Sequence, residues 1–407
     1  MKKNVLLIVC LCFFTGSIYT QSLGLISFDS DTKDHFQLSL IYPLGTSGPA
    51  SVYKSYELSL NLFLGFTGAI NGFEAGGFVN LVNTNVNGVQ LAGFGNIVGV
   101  SCNGVQMAGF GNVNGKDLNG VQLAGFGNFN GGTVSGVQGA GFANINGCSE
   151  KLVQVAGFAN VTTGNCIFQG SGFINIADDI VQATDSFENI EVKVPGGAQL
   201  AGFANVSKNI NGLQAAGFIN IAQNVKGLQL AGFLNYCDSI EGIPIAFLSI
   251  VKKNGYRKLT VSSNETFYVN TSFKIGVEKF YTIINLGYRP GINLFNWATG
   301  VGFGSMFNID EKRSIDISIL HHTIINDEWF RDGDINSGYH SLNQLGVCFK
   351  YKIDKRLSVY AGPTYNVLVS ENDSRSINLA PSWAWNLYDG NFTTVKTWFG
   401  FNAGFEF

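Results

Sequence analysis

The chain has 407 residues, of which 13% are charged, and it contains 52 glycines and 34 phenylalanines. A disordered chain would carry more charge and fewer aromatic residues, and a net charge of −3 offers no basic surface for nucleic acid. Many glycines and asparagines with only 7 prolines are typical of a β-rich chain with many turns.

The amino terminus has the pattern of a secretory signal peptide. Lys2 and Lys3 precede an apolar run over 5–14, and small and polar residues follow it. We predict that residues 1–20 are removed during secretion. The apolar run is too short to cross a bilayer as a helix, which takes about 20 residues.

Five cysteines remain after this cleavage, and no two of them have the CxxC spacing. An odd number without such pairs predicts neither a disulfide framework nor a zinc site. We interpret these residues as small apolar fillers. They are Cys102, Cys148, Cys166, Cys237 and Cys348.

Residues 34–67 contain two runs in which every second residue is apolar, at 36–42 and 56–66. An alternation of period two predicts β-strands. Glycine and proline residues lie between the runs at 45–49, which is typical of a turn. We therefore predict an amino-terminal β-hairpin over 34–67 and assign its strands to a barrel.

One phrase returns at a nearly fixed spacing over residues 68–251. Its clearest copies lie at 88–96, 104–112 and 120–128, and they read GVQLAGFGN with Met replacing Leu in the second. Each copy has Gln three residues before an anchor glycine, Phe directly after it and Asn three residues after it. The anchors recur every 15 or 16 residues, apart from one step of 30 that we interpret as two steps of 15. Such regularity predicts a repeat architecture. The anchors are Gly77, Gly93, Gly109, Gly125, Gly141, Gly157, Gly172, Gly202, Gly217 and Gly232.

Two architectures could place these repeats, because apolar positions equivalent to 89, 91 and 97 alternate with the Gln and Asn positions. In a parallel β-solenoid each repeat is one coil, so that Gln and Asn form ladders and Phe rings stack. Alternatively, each repeat is one strand of an antiparallel membrane barrel, with positions 89, 91 and 97 facing lipid. We favour the solenoid, since the steps are uniform and there is a single repeat type.

Residues 255–407 contain longer alternating runs, joined in turn by short and long connections. Short turns at one end, long polar loops at the other and apolar faces are typical of an outer-membrane barrel, although a soluble barrel or sandwich would also alternate. The runs predict eight strands, at 256–261, 267–275, 280–288, 299–307, 314–321, 345–351, 357–369 and 395–407.

With the hairpin over 34–67 the barrel strands number ten, an even total as such barrels require. If the chain ends in the periplasm, both boundaries of the repeats lie on that side. We therefore expect the repeats on the periplasmic side or in the lumen, unless they continue the barrel wall. The predicted fold class is all-β, with a β-solenoid-like repeat array combined with an antiparallel, outer-membrane-type β-barrel.

The phrase Gly-x-Gln-x-Ala-Gly-Phe-x-Asn over residues 68–251 resembles the arrays of uncharacterised surface-repeat proteins of Gram-negative bacteria. The ending at Phe407 resembles the aromatic carboxy-terminal strand of bacterial outer-membrane barrels. This resemblance implies the outer membrane or cell surface as the location. It brings no assigned activity.

Candidate metal ligands are few. His321 and His322 are neighbours on a predicted strand, so their side chains point to opposite faces and cannot bind one ion together. Asp178, Asp179 and Asp185 lie within the double step and could bind a cation, but their spacing matches no calcium loop. We interpret them as a solvated loop and predict no metal or cofactor.

No nucleophile, zinc-protease or phosphate-loop motif is present. The carboxylates in the long loop, Asp327, Glu328, Asp332 and Asp334, are interpreted as solvated surface. We predict a non-enzymatic envelope protein without catalytic residues, whose repeats serve as a scaffold or binding surface. The alternative is an outer-membrane channel or transport barrel in which the repeats form wall or plug. The predicted partners are outer-membrane lipid and the barrel-assembly machinery.

Overall fold

The computed structural model describes residues 33–181, 186–187, 190–191, 196–290, 295–325, 340–354, 356–371 and 379–407. It consists of a parallel β-solenoid of about eleven turns and a closed eight-stranded antiparallel β-barrel, which confirms the predicted fold class. Within these residues no helix is long and apolar enough to cross a bilayer. The predicted signal peptide, Asp185 and the carboxylates of the 327–334 segment lie outside the described residues.

The first 26 strands form the solenoid and one small excursion from it, and a 3-10 helix at Gly48–Tyr53 lies among them. The strands are β1 (Lys33–Ile41), β2 (Leu44–Gly45), β3 (Ser55–Thr67), β4 (Ala69–Gly76), β5 (Val79–Val82), β6 (Val86–Ala92), β7 (Gly95–Val98), β8 (Cys102–Ala108), β9 (Gly111–Asn114), β10 (Leu118–Ala124), β11 (Gly127–Ala140), β12 (Ala143–Ala156), β13 (Ala159–Val161), β14 (Gly164–Ser171), β15 (Ile174–Ile176), β16 (Asp179–Ile180), β17 (Ser186–Phe187), β18 (Ile190–Glu191), β19 (Gly197–Ala201), β20 (Ala204–Val206), β21 (Asn209–Ala216), β22 (Ile219–Ile221), β23 (Asn224–Ala231), β24 (Leu234–Cys237), β25 (Ser239–Ile245) and β26 (Leu248–Val251).

Equivalent residues of successive repeats stack directly upon one another. In the parallel pairing of β6 with β8, Gln90 lies beside Gln106, and β8 pairs with β10 in the same register. Asn96 likewise lies beside Asn112 in the pairing of β7 with β9. This register confirms the solenoid over the alternative in which each repeat is a strand of a barrel wall.

The anchor glycines allow the coils to approach each other closely at a corner. A Cβ atom on Gly93 would overlap the carbonyl oxygen of Gly77 in the preceding coil. The glycine two residues later, Gly95, is different, because a Cβ atom there would lie 3.3 Å from its nearest neighbour, the carbonyl oxygen of Gly111. Other coils carry alanine at this second position, for example Ala143. The corner therefore requires glycine at the anchor alone.

We expect Gly93→Ala to destabilise the solenoid by about 2–3 kcal/mol, because backbone atoms of two coils would have to separate. The matched control Gly95→Ala should change stability by less than about 1 kcal/mol. Urea unfolding of the full chain in detergent, followed by circular dichroism, measures both. Equal losses in the two variants would contradict this account of the corner.

The predicted hairpin over 34–67 is wrong. Its two strands exist, but β1 pairs with β3 in parallel and both belong to the solenoid. The segment between them, with its 3-10 helix, returns the chain to the start of the next strand, as a coil does. Asn61 of β3 donates to Asn80 at 3.0 Å and so joins the Asn ladder. Alternation indicates a strand but carries no information about its direction, which explains the error.

The step of 30 residues is one coil with an insertion rather than two coils. Gln169 of β14 lies directly beside Gln199 of β19, and Phe173 stacks on Phe203 at 4.9 Å. The chain leaves the stack after β16, and β17 and β18 form a separate antiparallel pair. The interpretation of this step as two steps of 15 is therefore wrong.

The solenoid interior has two different halves. One is an apolar column, with residues such as Val86, Val98 and Leu118 fully buried. The other holds the Gln and Asn ladders. Cys102, Cys166 and Cys237 lie in the apolar column, as expected of small fillers, and burial raises the pKa of each thiol to about 12. These thiols therefore stay protonated at neutral pH.

The remaining strands form the barrel, in which each strand from β27 to β32 pairs with the next, β33 pairs with β35, and β27 pairs with β35 to close the ring. They are β27 (Tyr256–Asn264), β28 (Val269–Val277), β29 (Phe280–Pro290), β30 (Phe295–Asn308), β31 (Arg313–Ile325), β32 (His340–Lys352), β33 (Ser358–Glu371), β34 (Trp385–Asp389) and β35 (Thr393–Glu406). All eight predicted strands are present, and the short β34 pairs with β35 as an addition. The predicted total of ten is wrong because β1 and β3 belong to the solenoid.

The solenoid meets the barrel end-on. Its last coil, β25 and β26, contacts the outer faces of β28 and β29, where Ile275, Val277 and Thr282 are buried. Thr282 donates to the carbonyl oxygen of Ala246 at 3.2 Å, and Val251 shares an apolar cluster with Val277. The contact lies near the end of the barrel at which β27 begins and β35 finishes, here called the short-turn end. The array therefore lies outside the lumen and forms no part of the wall.

Candidate functional site

Two amide ladders run the length of the solenoid in opposite directions. In the Gln ladder each Nε2 donates to the Oε1 of the preceding coil, as Gln106 does to Gln90 at 2.8 Å. In the Asn ladder each Nδ2 donates to the following coil, as Asn96 does to Asn112 at 2.9 Å. The same nitrogen of Asn96 also donates to the carbonyl oxygen of Met107. The hydrogen bonds of the two ladders compensate for the burial of these amides. Because the ladders run in opposite directions, the dipoles of the two amide columns also point in opposite directions.

Glu74 ends the Gln ladder at the amino-terminal side. One of its oxygens accepts from Gln90 at 2.8 Å, and the other accepts from Ser59 at 3.1 Å and Asn61 at 3.0 Å. A carboxylate suits this position because the Nε2 group of Gln90 needs a hydrogen-bond acceptor. The carboxyl group is nevertheless fully buried, and burial raises its pKa to about 7 despite these hydrogen bonds.

The raised pKa of Glu74 predicts a solenoid that is less stable at neutral pH than at acidic pH. Between its ordinary pKa of 4.5 and about 7 the folded chain retains a proton that the unfolded chain releases. Stability therefore falls as pH rises through this window, by on the order of 3 kcal/mol in total. We expect Glu74→Gln to remove this part of the pH dependence. Hydrogen exchange of β3 and β4 at pH values on either side of the window measures the difference, and parallel curves for the two proteins would contradict it.

The phenylalanines form a third stack, on the outside. Adjacent rings lie 4.8–5.2 Å apart from Phe78 to Phe233, and the last step to Phe247 is 6.1 Å. The predicted Gln ladder, Asn ladder and Phe stack are thus all confirmed. The rings lie at the corner formed by the anchor glycines, and most are exposed over about two fifths of their surface.

A charged cluster fills the barrel lumen at the short-turn end. Lys274 contacts Asp316 at 2.6 Å and Glu406 at 3.5 Å, and Lys350 forms an ion pair with Glu406. These four side chains carry two positive and two negative charges, and all are buried. Tyr256 donates to Glu406 at 2.7 Å. The cluster is neutral and hydrogen-bonded, so it acts as a structural plug.

The opposite end of the lumen is closed by apolar side chains. Phe267, Leu379 and Trp398 are fully buried there and pack with residues of four further strands and of the 379–384 segment. Between this cluster and the charged one lies a polar cavity of about 40 Å³. His322 lines it, and neither ring nitrogen has a hydrogen-bond partner among the described residues. The space is sufficient for about two or three water molecules.

The outer face of the barrel is an apolar belt. Exposed side chains point outward from alternate positions of every strand of the closed ring. Exposed aromatic residues lie near both ends, with Tyr268 and Trp297 at one and Phe307 and Tyr351 at the other. The belt is formed by Leu259, Val261, Val269, Phe273, Ile284, Leu286, Val301, Phe303, Ile317, Ile319, Leu345, Val347, Phe349, Tyr365, Phe399, Phe401 and Phe405.

The candidate metal ligands considered in the sequence analysis lie apart from one another in the structure. His321 is exposed and contacts Asn343 at 2.8 Å, whereas His322 is buried in the lumen, so the two side chains do lie on opposite faces. Asp178 pairs with Lys208 at 2.8 Å on the surface of the solenoid. Among the described residues no three His, Cys, Asp or Glu side chains are close enough to hold a metal ion.

Sequence reasoning missed the charged cluster of the lumen. Its residues lie 132 positions apart at the extremes, from Lys274 to Glu406, and come from four strands. The available signal was that each charged residue alternates with apolar neighbours within a predicted strand, which places it on the inner face. In the three comparisons made, neither a protein-family model, nor a curated protein, nor a solved structure matches this chain.

Proposed function

We propose that this chain is a non-enzymatic outer-membrane protein in which the barrel is the anchor and the solenoid is a scaffold or binding surface. The apolar belt of the barrel carries the proposal. A soluble barrel buries apolar side chains inside and exposes polar ones, whereas here the lumen holds a charged cluster, a polar cavity and one apolar cluster, and apolar residues face outward. Aromatic residues near both rims have the distribution found at membrane–water interfaces.

The orientation follows from the ends of the barrel. In outer-membrane barrels the short turns face the periplasm. The solenoid meets the barrel at its short-turn end, so the proposal places the array on the periplasmic side. The signal-like residues 1–20 agree with export, and the outward-facing apolar residues of the barrel agree with insertion by the barrel-assembly machinery. Outer-membrane lipid is the first partner in this proposal.

The filled lumen favours the anchor over the channel alternative. Eight strands enclose an interior just wide enough for side chains to fill. The charged cluster around Glu406 and the apolar cluster around Trp398 occupy its two ends, and the cavity between them is about 40 Å³. An ion path would require both clusters to rearrange.

We expect the purified chain to insert into planar lipid bilayers without producing stepwise ion conductance. Its barrel should show heat-modifiable migration on a denaturing gel, since a closed antiparallel barrel resists detergent until it is boiled. Discrete conductance steps from the heat-modifiable form would restore the channel alternative. The absence of heat modification in protein extracted from membranes would contradict the anchor itself.

A further inference from the structure

The corner at which the Phe rings stack belongs to a larger apolar surface, here called the Phe edge. It comprises the Phe positions and the outward positions on either side, equivalent to Val89, Leu91 and Ile97, in every coil. Ten steps of about 5 Å give a ridge about 50 Å long. Exposed Leu58 and Leu60 extend it into the amino-terminal coils.

The Phe edge carries almost no charge. From the coil of Gly88 to the last coil, the residues equivalent to 88–98 contain no Lys, Arg, Asp or Glu. In the two preceding coils, Glu74 points into the interior, and Glu57 is exposed at the amino-terminal end of the ridge. Charged residues of the array, such as Lys116, Asp117 and Lys226, lie on the opposite half of the coil. The solenoid is therefore amphipathic along its whole length, with an apolar surface that follows the ridge of Phe rings. Soluble monomers rarely expose a patch of more than a few hundred Å².

The interior beneath this surface suits an apolar environment. The Gln and Asn side chains behind the Phe edge are paired in the two ladders. At the corner itself the backbone is also paired, since Phe94 donates to the carbonyl oxygen of Phe78 at 2.8 Å. A surface in contact with lipid must satisfy its backbone polar groups internally. The coils meet this requirement through bonds to their neighbours.

The contact with the barrel directs the Phe edge towards the apolar belt. At the corner of the last coil, the carbonyl oxygen of Ala246 accepts a hydrogen bond from Thr282. In the other half of the same coil, Val251 packs against Val277. Thr282 pairs with Ile275, and Ile275 lies two residues farther from the short-turn end than Val277. The next outward residue after Thr282 is Ile284, which belongs to the belt. The Phe edge thus continues the belt, and the polar half of the coil faces away from it.

We infer that the Phe edge inserts into the phospholipid leaflet next to the short-turn end, so that the solenoid lies along the membrane as a monotopic arm. This inference rests on the proposed membrane insertion of the barrel. Because the solenoid meets the barrel wall end-on, its ridge runs outward along the membrane plane. The other conceivable occupant is the Phe edge of a second copy of the chain.

The test uses the full chain with the barrel inserted into vesicles of phosphatidylethanolamine with a minority of phosphatidylglycerol. Nitroxide spin labels are attached in a Cys148→Ser background at Phe126→Cys or Ile97→Cys on the Phe edge, at Lys116→Cys on the polar half, or at Val347→Cys on the belt. Collision rates with oxygen, which partitions into lipid, and with a water-soluble nickel chelate report the surroundings of each label. Heat modification confirms that each variant is folded.

We expect the labels at 126 and 97 to resemble the label at 347, with a several-fold higher ratio of oxygen to nickel collisions than at 116. Labels at 126 and 97 that match 116, while 347 lies in lipid, would overturn the inference and leave the barrel anchor intact. Exposure of 347 to the nickel chelate would overturn the anchor and the inference together. Spin–spin broadening at 126 that disappears on dilution with unlabelled protein would overturn the inference in favour of a second copy.

Discussion

Glu406→Gln is expected to destabilise the barrel by about 3–5 kcal/mol, the usual cost of breaking a buried ion pair. The Glu406 carboxylate contacts both Lys350 and Lys274, and Tyr256 donates to it. Neutralising it leaves two buried ammonium groups with Asp316 as their remaining anion. Urea unfolding of the chain in lipid vesicles, followed by tryptophan fluorescence, to which the buried Trp398 contributes, measures the loss.

Two further variants separate charge from packing. Glu311→Gln, in the exposed turn at the same end of the barrel, should change stability by less than about 0.5 kcal/mol. The double variant Glu406→Gln with Lys350→Met should recover part of the loss, because it removes one of the unpaired charges. A loss after Glu406→Gln as small as that after Glu311→Gln would show that the cluster contributes little to the stability of the barrel.

Asn128→Leu is expected to destabilise the middle of the solenoid by about 3–5 kcal/mol. Asn128 donates to Asn144 at 2.8 Å and to the carbonyl oxygen of Gly139 at 2.9 Å, and it accepts from Asn112 at 2.9 Å. Leucine has the same branched shape as asparagine but leaves these three buried groups without this partner, at about 1–3 kcal/mol for each group that stays unsatisfied. Hydrogen exchange resolved by coil measures the effect.

The loss should be greatest in the coils next to Asn128, because stability in a repeat array depends on intrinsic coil stability and contacts between neighbours. The control is Asn119→Leu in the same coil, where the asparagine is exposed and the expected change is below about 0.5 kcal/mol. Uniform loss of protection along the whole array would contradict the nearest-neighbour account. Equal effects of the two variants would contradict the energetic role of the ladder.

The period of the sequence favoured the stacking of the solenoid over a barrel wall. Identical residues recurring every 15 or 16 positions can lie side by side only if each repeat completes one coil, and in-register Gln, Asn and Phe columns then follow. The eight barrel strands were also predictable, because a closed sheet with two different faces imposes a strict alternation of period two. Both are local properties of the chain.

Strand direction and side-chain orientation were harder to predict from the sequence. The segments around Leu38 and Leu60 alternate like barrel strands, yet they begin the solenoid, since alternation is the same in parallel and antiparallel pairs. Alternation also does not state which face is inside. In the solenoid the amides of Gln90 and Asn96 are inside and Phe94 is outside, the reverse of an ordinary soluble core.

The sequence by itself determined the period of the repeats, the eight strands within residues 255–407 and the absence of charge along the Phe positions, because these depend on spacing and composition alone. Only the tertiary structure decided that Lys274, Asp316, Lys350 and Glu406 meet in one lumen, and that the last coil docks beside Thr282. Both results depend on the closure of the barrel and on the packing of one unit against the other. Such contacts join residues far apart in the chain, for which neither spacing nor composition contains a signal.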